Sequence, residues 1–145
     1  MKKLILVSAL AMAAVGAHAA GTVGQAFNVT ASLTSVCQTD NATPAAVAFG
    51  AYTAFGSAAT PAPTSTISFK CTRGLTTPTA TLSSGSGTIG GLAYTLAVAA
   101  GTKVAATGNN PDVYSYVVTG TMASGQAGDA AASTAAVSHT LTIAY

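Results

Sequence analysis

The chain reads as an all-β domain, a sandwich or a barrel, on three observations. Helix vocabulary is thin: Glu and Trp do not occur, and past residue 19 Thr, Val, Tyr and Gly dominate. Clusters of Gly, Ser, Asn and Pro break the chain at roughly every dozen residues, the spacing of short strands. Two segments, one near each end, alternate apolar and polar side chains with a period of two. Alanine is abundant and favours helix, but it lies among Thr, Ser and Gly without a period near 3.6.

Residues 1–19 open with Met1-Lys2-Lys3, continue with an apolar run from Leu4 to Val15, and close on Ala17-His18-Ala19. A basic start, a short apolar centre and a small-residue cleavage site predict a secretory signal peptide. The run is short for a membrane span, and no direct membrane insertion is expected. Cleavage leaves residues 20–145, the length of one domain. It also removes Lys2 and Lys3, so the formal charge of +2 falls to zero, with Lys70, Arg73 and Lys103 balancing Asp40, Asp112 and Asp129. No basic patch remains for nucleic acid or anionic lipid. So few charges give weak mutual repulsion, and a neutral Ala/Thr/Ser/Gly surface suits a subunit packed against copies of itself.

The first predicted strand, Ala26 to Cys37, belongs to a leading extension over residues 20–36. Val23, Phe27, Val29, Ala31 and Leu33 are its apolar members, with Asn28, Thr30, Ser32 and Thr34 between them. A half-buried strand near a free terminus must cover its apolar face. It either packs into its own sheet or is donated to another subunit. Residues 37–145 are expected to form the sandwich itself. Val47-Ala48-Phe49 predicts a short strand before Gly50. A Pro/Ala/Ser/Thr loop runs from Gly56 to Pro63. Thr66 to Cys71 alternates, with Ile67, Phe69 and Cys71 on one face. Thr77 to Leu82 follows, closed by the turn cluster Ser83 to Gly87. Leu92 to Val98 puts Leu92, Tyr94, Leu96 and Val98 on one face. Asn109-Asn110-Pro111 predicts a turn, then come a strand from Val113 to Thr121 and a loop from Ala123 to Thr134. The last predicted strand, Val137 to Tyr145, sets Val137, His139, Leu141, Ile143 and Tyr145 on one face. An aromatic final residue suggests a C-terminus that is held or recognised.

Cys37 and Cys71 are the two cysteines. An exported chain meets an oxidising compartment, so they are expected to pair. The loop closed is about 35 residues, worth roughly 3–4 kcal/mol in the chain-entropy model. No metal site or cofactor is expected, since C-x-x-C is absent and His139 is the one histidine outside residues 1–19. No enzyme is expected either. Three scattered aspartates give paired-carboxylate chemistry little to build on. A Ser-His-Asp site would need His139 beside a nucleophile and an aspartate, and its place on a core-facing strand predicts a structural histidine. Gly85-Ser86-Gly87 and Gly90-Gly91 lack the Lys and the strand-to-helix setting of a phosphate loop. Asn28-Val29-Thr30 and Asn41-Ala42-Thr43 match the glycosylation acceptor pattern, which recurs by chance. Tyr94, Tyr114 and Tyr116 have the rings to stack on sugars but are expected in the core or between subunits.

Taken in order along the chain, these segments resemble the spore coat protein U-like domain, which includes the major subunits of archaic, Csu-type chaperone–usher pili. The resemblance rests on the alternating strand ending at Cys37, on Val47-Ala48-Phe49-Gly50-Ala51-Tyr52, and on Ile67-Ser68-Phe69-Lys70-Cys71-Thr72-Arg73-Gly74. Leu82 to Gly87, Leu92-Ala93-Tyr94-Thr95-Leu96 and the strand ending at Tyr145 extend it over the region past the signal. The chain departs from the family at Ala135 to Thr140, where a Gly-x-Tyr-x-Asp-Thr segment is common and where His139 replaces an apolar residue.

The resemblance implies an incomplete immunoglobulin-like sandwich, the pilin fold, completed by a donor strand. Val23, Phe27, Val29, Ala31 and Leu33 would be the donor side chains. Val137, His139, Leu141, Ile143 and Tyr145 would line the acceptor groove, and the Tyr145 carboxylate would meet basic residues of a chaperone. It further implies a homopolymer of neighbouring subunits, a periplasmic chaperone and an outer-membrane usher as assembly partners, and export through the periplasm to the cell surface. Adhesion or biofilm formation would be the outcome. The alternatives are a secreted coat or matrix protein of the same fold that does not polymerise, and a carbohydrate-binding adhesin module.

Overall fold

The computed structural model describes residues 22–58, 62–130 and 136–145. The signal peptide expected at residues 1–19 lies outside them, as does the end of the loop expected up to Thr134. The chain divides into two units, Met1–Ser32 and Leu33–Tyr145. In the first, residues 22–32 form no strand.

The second unit carries eight strands and no helix among the described residues. They are β1 (Cys37–Thr39), β2 (Thr64–Cys71), β3 (Thr79–Leu82), β4 (Ser86–Ile89), β5 (Leu92–Val98), β6 (Thr102–Val104), β7 (Asp112–Met122) and β8 (Leu141–Ala144). All pairings are antiparallel. One sheet runs β1-β2-β7-β5-β4, with β6 also on β7; the other holds β3 and β8 alone.

β7 is the spine. Its β-branched and aromatic content suits a pleated, buried surface, and its side chains alternate between buried and less buried along all eleven residues. β2 covers one edge in full register from Thr64↔Thr119 to Cys71↔Asp112. The other edge is shared: β5 pairs with Val118–Met122, Ala99 donates to the Val117 carbonyl, and β6 pairs with Val113–Ser115. Gly120 is required here. A Cβ would stand 2.6 Å from Phe49 Cζ and 2.7 Å from Val47 Cγ1, so the absent side chain lets that segment lie against β7.

Tyr114, Tyr116, Phe69 and Cys71 form the buried centre. The Phe69 and Tyr116 rings meet edge to face at 6.0 Å, a favoured aromatic geometry. Leu141 and Ile143 of β8 and Ala80 of β3 pack on this cluster while only partly buried. The two tyrosine hydroxyls reach past the apolar layer. Tyr114 donates to the Leu75 carbonyl at 2.7 Å and Tyr116 to the Pro78 carbonyl at 2.5 Å. They satisfy their own polar tips and tether the segment leading into β3.

Several expectations meet the structure directly. β5 spans Leu92 to Val98 as expected, and β2 contains the expected Thr66–Cys71 with its inward Phe69 and Cys71. The strand expected from Ala26 to Cys37 does not form in this chain; the strand begins at Cys37. Alternation supplies a face but not a ladder, and a strand without a partner edge has nothing to hold it extended. Val47-Ala48-Phe49 likewise forms no strand, although Val47 and Phe49 are half-buried and Ala48 exposed. Its alternation serves packing over Gly120 and Tyr94 rather than a ladder. β4 starts inside the Ser83–Gly87 cluster read as a turn, and β6 has three exposed residues that left no pattern. The turn expected at Asn109 is centred one residue earlier, with Gly108 at φ 61°. The last strand is confined to Leu141–Ala144.

Candidate functional site: a strand edge with one partner

β8 pairs only with β3, from Thr79↔Ala144 to Leu82↔Leu141. Ser83 extends the pairing, donating its amide hydrogen to the Thr140 carbonyl at 2.8 Å and accepting from the Thr140 amide at Oγ, 3.0 Å. The opposite edge of β8 has no strand against it among the described residues. A two-stranded sheet is marginal by itself, and an open edge is a template for another strand. Leu141 and Ile143 point to the tyrosine cluster yet stay half-buried, and Val137 and Tyr145 are exposed.

His139 precedes β8. Its Nε2 shares a hydrogen bond with the Tyr94 hydroxyl at 2.7 Å, and the rings meet edge to face at 5.8 Å. Its Nδ1 is buried without a partner. The hydrogen-bond partner of the histidine is thus a tyrosine. Among the described residues no group of three or more His, Cys, Asp or Glu could hold a metal ion.

Val23, Phe27, Val29 and Leu33 are 81–100% exposed, and Ala31 is exposed beside them. None belongs to a strand. Val36, in the second unit, is bonded to the residue after β2: its carbonyl accepts from the Thr72 amide at 2.9 Å and its amide donates to Thr72 Oγ1 at 3.0 Å. Immediately after it, Cys37 sits directly opposite Cys71 and the two form a disulfide, S–S 2.02 Å.

Sequence reasoning missed three fastenings around this frame. Asp112, buried at the start of β7, accepts from Lys103 Nζ at 2.7 Å, from the Ala106 amide at 2.8 Å and from the Gly74 amide at 3.0 Å. The Lys103 ammonium first, then those two amides, hold its carboxyl down to about 2; the same pairing raises Lys103. Asn41 uses its side-chain amide as a strand surrogate on β2, accepting from the Ser68 amide at 2.9 Å and donating to the Thr66 carbonyl at 3.1 Å. Asn41 of the Asn41-Ala42-Thr43 pattern thus engages β2 through both its side-chain oxygen and its nitrogen. Phe55 is the third residue of a turn closed by Gly56 N–H to Thr53 carbonyl at 2.9 Å, and it stands at φ 60°. A bulky L-residue in that region costs about 1–2 kcal/mol, where glycine would cost little. Only the Asp112 cluster had a sequence signal, an acid in a chain with three. Tyr94, Tyr114 and Tyr116 are all buried, so their rings are not free to stack on sugars.

Comparison of the chain with protein-family models, with curated proteins and with solved structures finds no match.

Proposed function

We propose that this protein is a structural subunit of a surface fibre, assembled by the chaperone–usher route through donor-strand exchange, as its likeness to the spore coat U-like pilins implies. The second sheet is short of a strand. The leading apolar segment of one copy supplies that strand to the next, completing an immunoglobulin-like sandwich. A periplasmic chaperone holds the edge of β8 until the usher exchanges it. The work is assembly and attachment rather than catalysis, and it takes place at the cell surface. Head-to-tail donation does not close on itself, so it yields a filament.

One pairing of observations carries this reading: an apolar, alternating segment left without a partner, and a half-buried β8 with one edge unpaired. Strand addition joins such features, with backbone hydrogen bonds giving affinity and alternate side chains giving register. The test is to append a second copy of residues 22–33 after Tyr145 of the full chain. We expect a monomer that no longer polymerises and melts well above the unmodified chain. Deletion of residues 20–33 should stop polymer growth and spare chaperone binding. A full chain that stays monomeric and stable unaided would instead mark a non-polymerising coat or matrix protein.

A further inference from the structure

Phe55 is held in a conformation that disfavours it, with its side chain 77% exposed. An exposed ring adds little to the fold, so the strain is not repaid by burial within the chain. The turn that carries it is rigidly mounted. Phe55 donates its amide hydrogen to the Gln126 carbonyl at 2.8 Å, and Gly125 donates to the Gly56 carbonyl at 2.9 Å. The Tyr52 hydroxyl donates to the Ala123 carbonyl at 2.9 Å and accepts from the Gln126 amide at 3.0 Å. Gln126 in turn grips β5, its Oε1 accepting from the Ala93 amide at 2.6 Å and its Nε2 donating to the Ala93 carbonyl at 2.9 Å. A mount of this kind keeps an aromatic side chain presented, at low entropic cost on contact.

Two residues of this mount, Ala93 and Ala123, also line an open concavity of about 510 Å³ with Gly87, Tyr94 and Thr121. Every residue lining it is uncharged, and residues 50–58 around Phe55 carry no charge either. The three cations and three aspartates of residues 33–145 cancel, so copies do not repel as they approach. A projecting ring and a neutral, largely apolar recess are linked in the same molecule through Gln126 and Ala93. We infer that Phe55 of one copy seats in the Ala93–Ala123 recess of a second copy, an interface between copies separate from the proposed strand exchange. A buried aromatic in a central pocket is the usual form of an interface hot spot.

The test uses full chains bearing one added cysteine each. Ala54→Cys copies, which keep the Phe55 ring beside an exposed position, are mixed with Ala123→Cys copies under oxidising conditions and run on a heated, non-reducing gel. A covalent dimer is expected. The control partner, Asn109→Cys, carries its cysteine beyond the other end of β7 and should give none. Placing Phe27→Asp and Val29→Asp in both partners should abolish strand exchange and leave the covalent dimer, so the two readings fail separately. In that same background, Phe55→Gly should keep or raise the melting temperature and weaken self-association in sedimentation by roughly tenfold or more, the loss of a hot spot. Equal cross-linking to Asn109→Cys and Ala123→Cys, or unchanged self-association of the Phe55→Gly chain, overturns the inference.

Discussion

β7 and β8 are made of similar residues and meet different fates. Both alternate apolar and polar positions, and both turn their apolar side toward the tyrosine cluster. β7 has a partner along each edge, and Tyr114, Tyr116, Val118 and Met122 are at most 3% exposed. Among the described residues β8 has one partner, and its Leu141 and Ile143 remain half-buried. The difference is not propensity. It is how many neighbours the topology provides, since cross-strand packing and burial set what a strand residue contributes. The molecule thus has a larger sheet built on a strand paired along both edges and a sheet of only two strands among the described residues, and mutations should read that contrast.

The sharpest reading comes from paired truncations. Tyr116→Ala removes a fully buried ring and its tether to Pro78, and should cost about 3–5 kcal/mol in urea unfolding. Ile143→Ala, beneath the unpaired edge, should cost clearly less, about 1–2 kcal/mol, because much of its side chain already meets water. With a second copy of residues 22–33 appended at the C-terminus, the Ile143→Ala cost should rise toward that of a core site. An unchanged cost would show that the added strand does not cover β8.

Next in size is the bridge at the junction. Cys37→Ser with Cys71→Ser should lower stability by roughly 3–4 kcal/mol through the unfolded chain, measured as a shift in the denaturation midpoint. The loss falls on the larger sheet, because β1 is only three residues long and pairs with β2 alone among the described strands.

Asp112 distinguishes the two sheets by pH. Its folded carboxyl is held down to about 2, chiefly by Lys103, against an unfolded value of about 3.9. Its contribution is therefore present above the unfolded value and is lost as pH falls from about 4 through about 2. Asp112→Asn should flatten that acid limb in a stability–pH profile, and salt should weaken the wild-type limb, since Lys103 is partly exposed.

The sequence exposes the parts of this architecture that depend on local pattern. β2, β5 and β7 were legible because each alternates for six or more residues with large apolar side chains on one face. The disulfide was legible from count and compartment. β4 and β6 were not, because Gly87 and Thr88 or Thr102 and Lys103 carry no core-facing signal; neighbouring strands alone hold them. The alternation of residues 23–33 was legible as a strand face and illegible as a location, since period says which side chains want burial and not whose sheet provides it. The fastenings by Asn41 and Gln126 depend on side chains reaching across 25 and 33 residues of sequence, a distance at which no local pattern operates.

The smallest effect probes the polar contact between the two sheets. Tyr94 belongs to the larger sheet and His139 leads into the two-stranded one, and they share a single hydrogen bond at 2.7 Å. Tyr94→Phe alone strands the histidine Nε2 beside an Nδ1 that already lacks a partner, and should cost about 1–2 kcal/mol. His139→Leu alone leaves the tyrosine hydroxyl buried and should cost a similar amount. Replacing both together removes every unpaired polar atom and should return stability to within about 0.5 kcal/mol of wild type or above it. The expected outcome of the double-mutant cycle is therefore strong coupling with little net gain. A double variant as unstable as the sum of the single ones would mean that the pair does not act as a unit, and that β8 is held to the larger sheet by its apolar side chains alone.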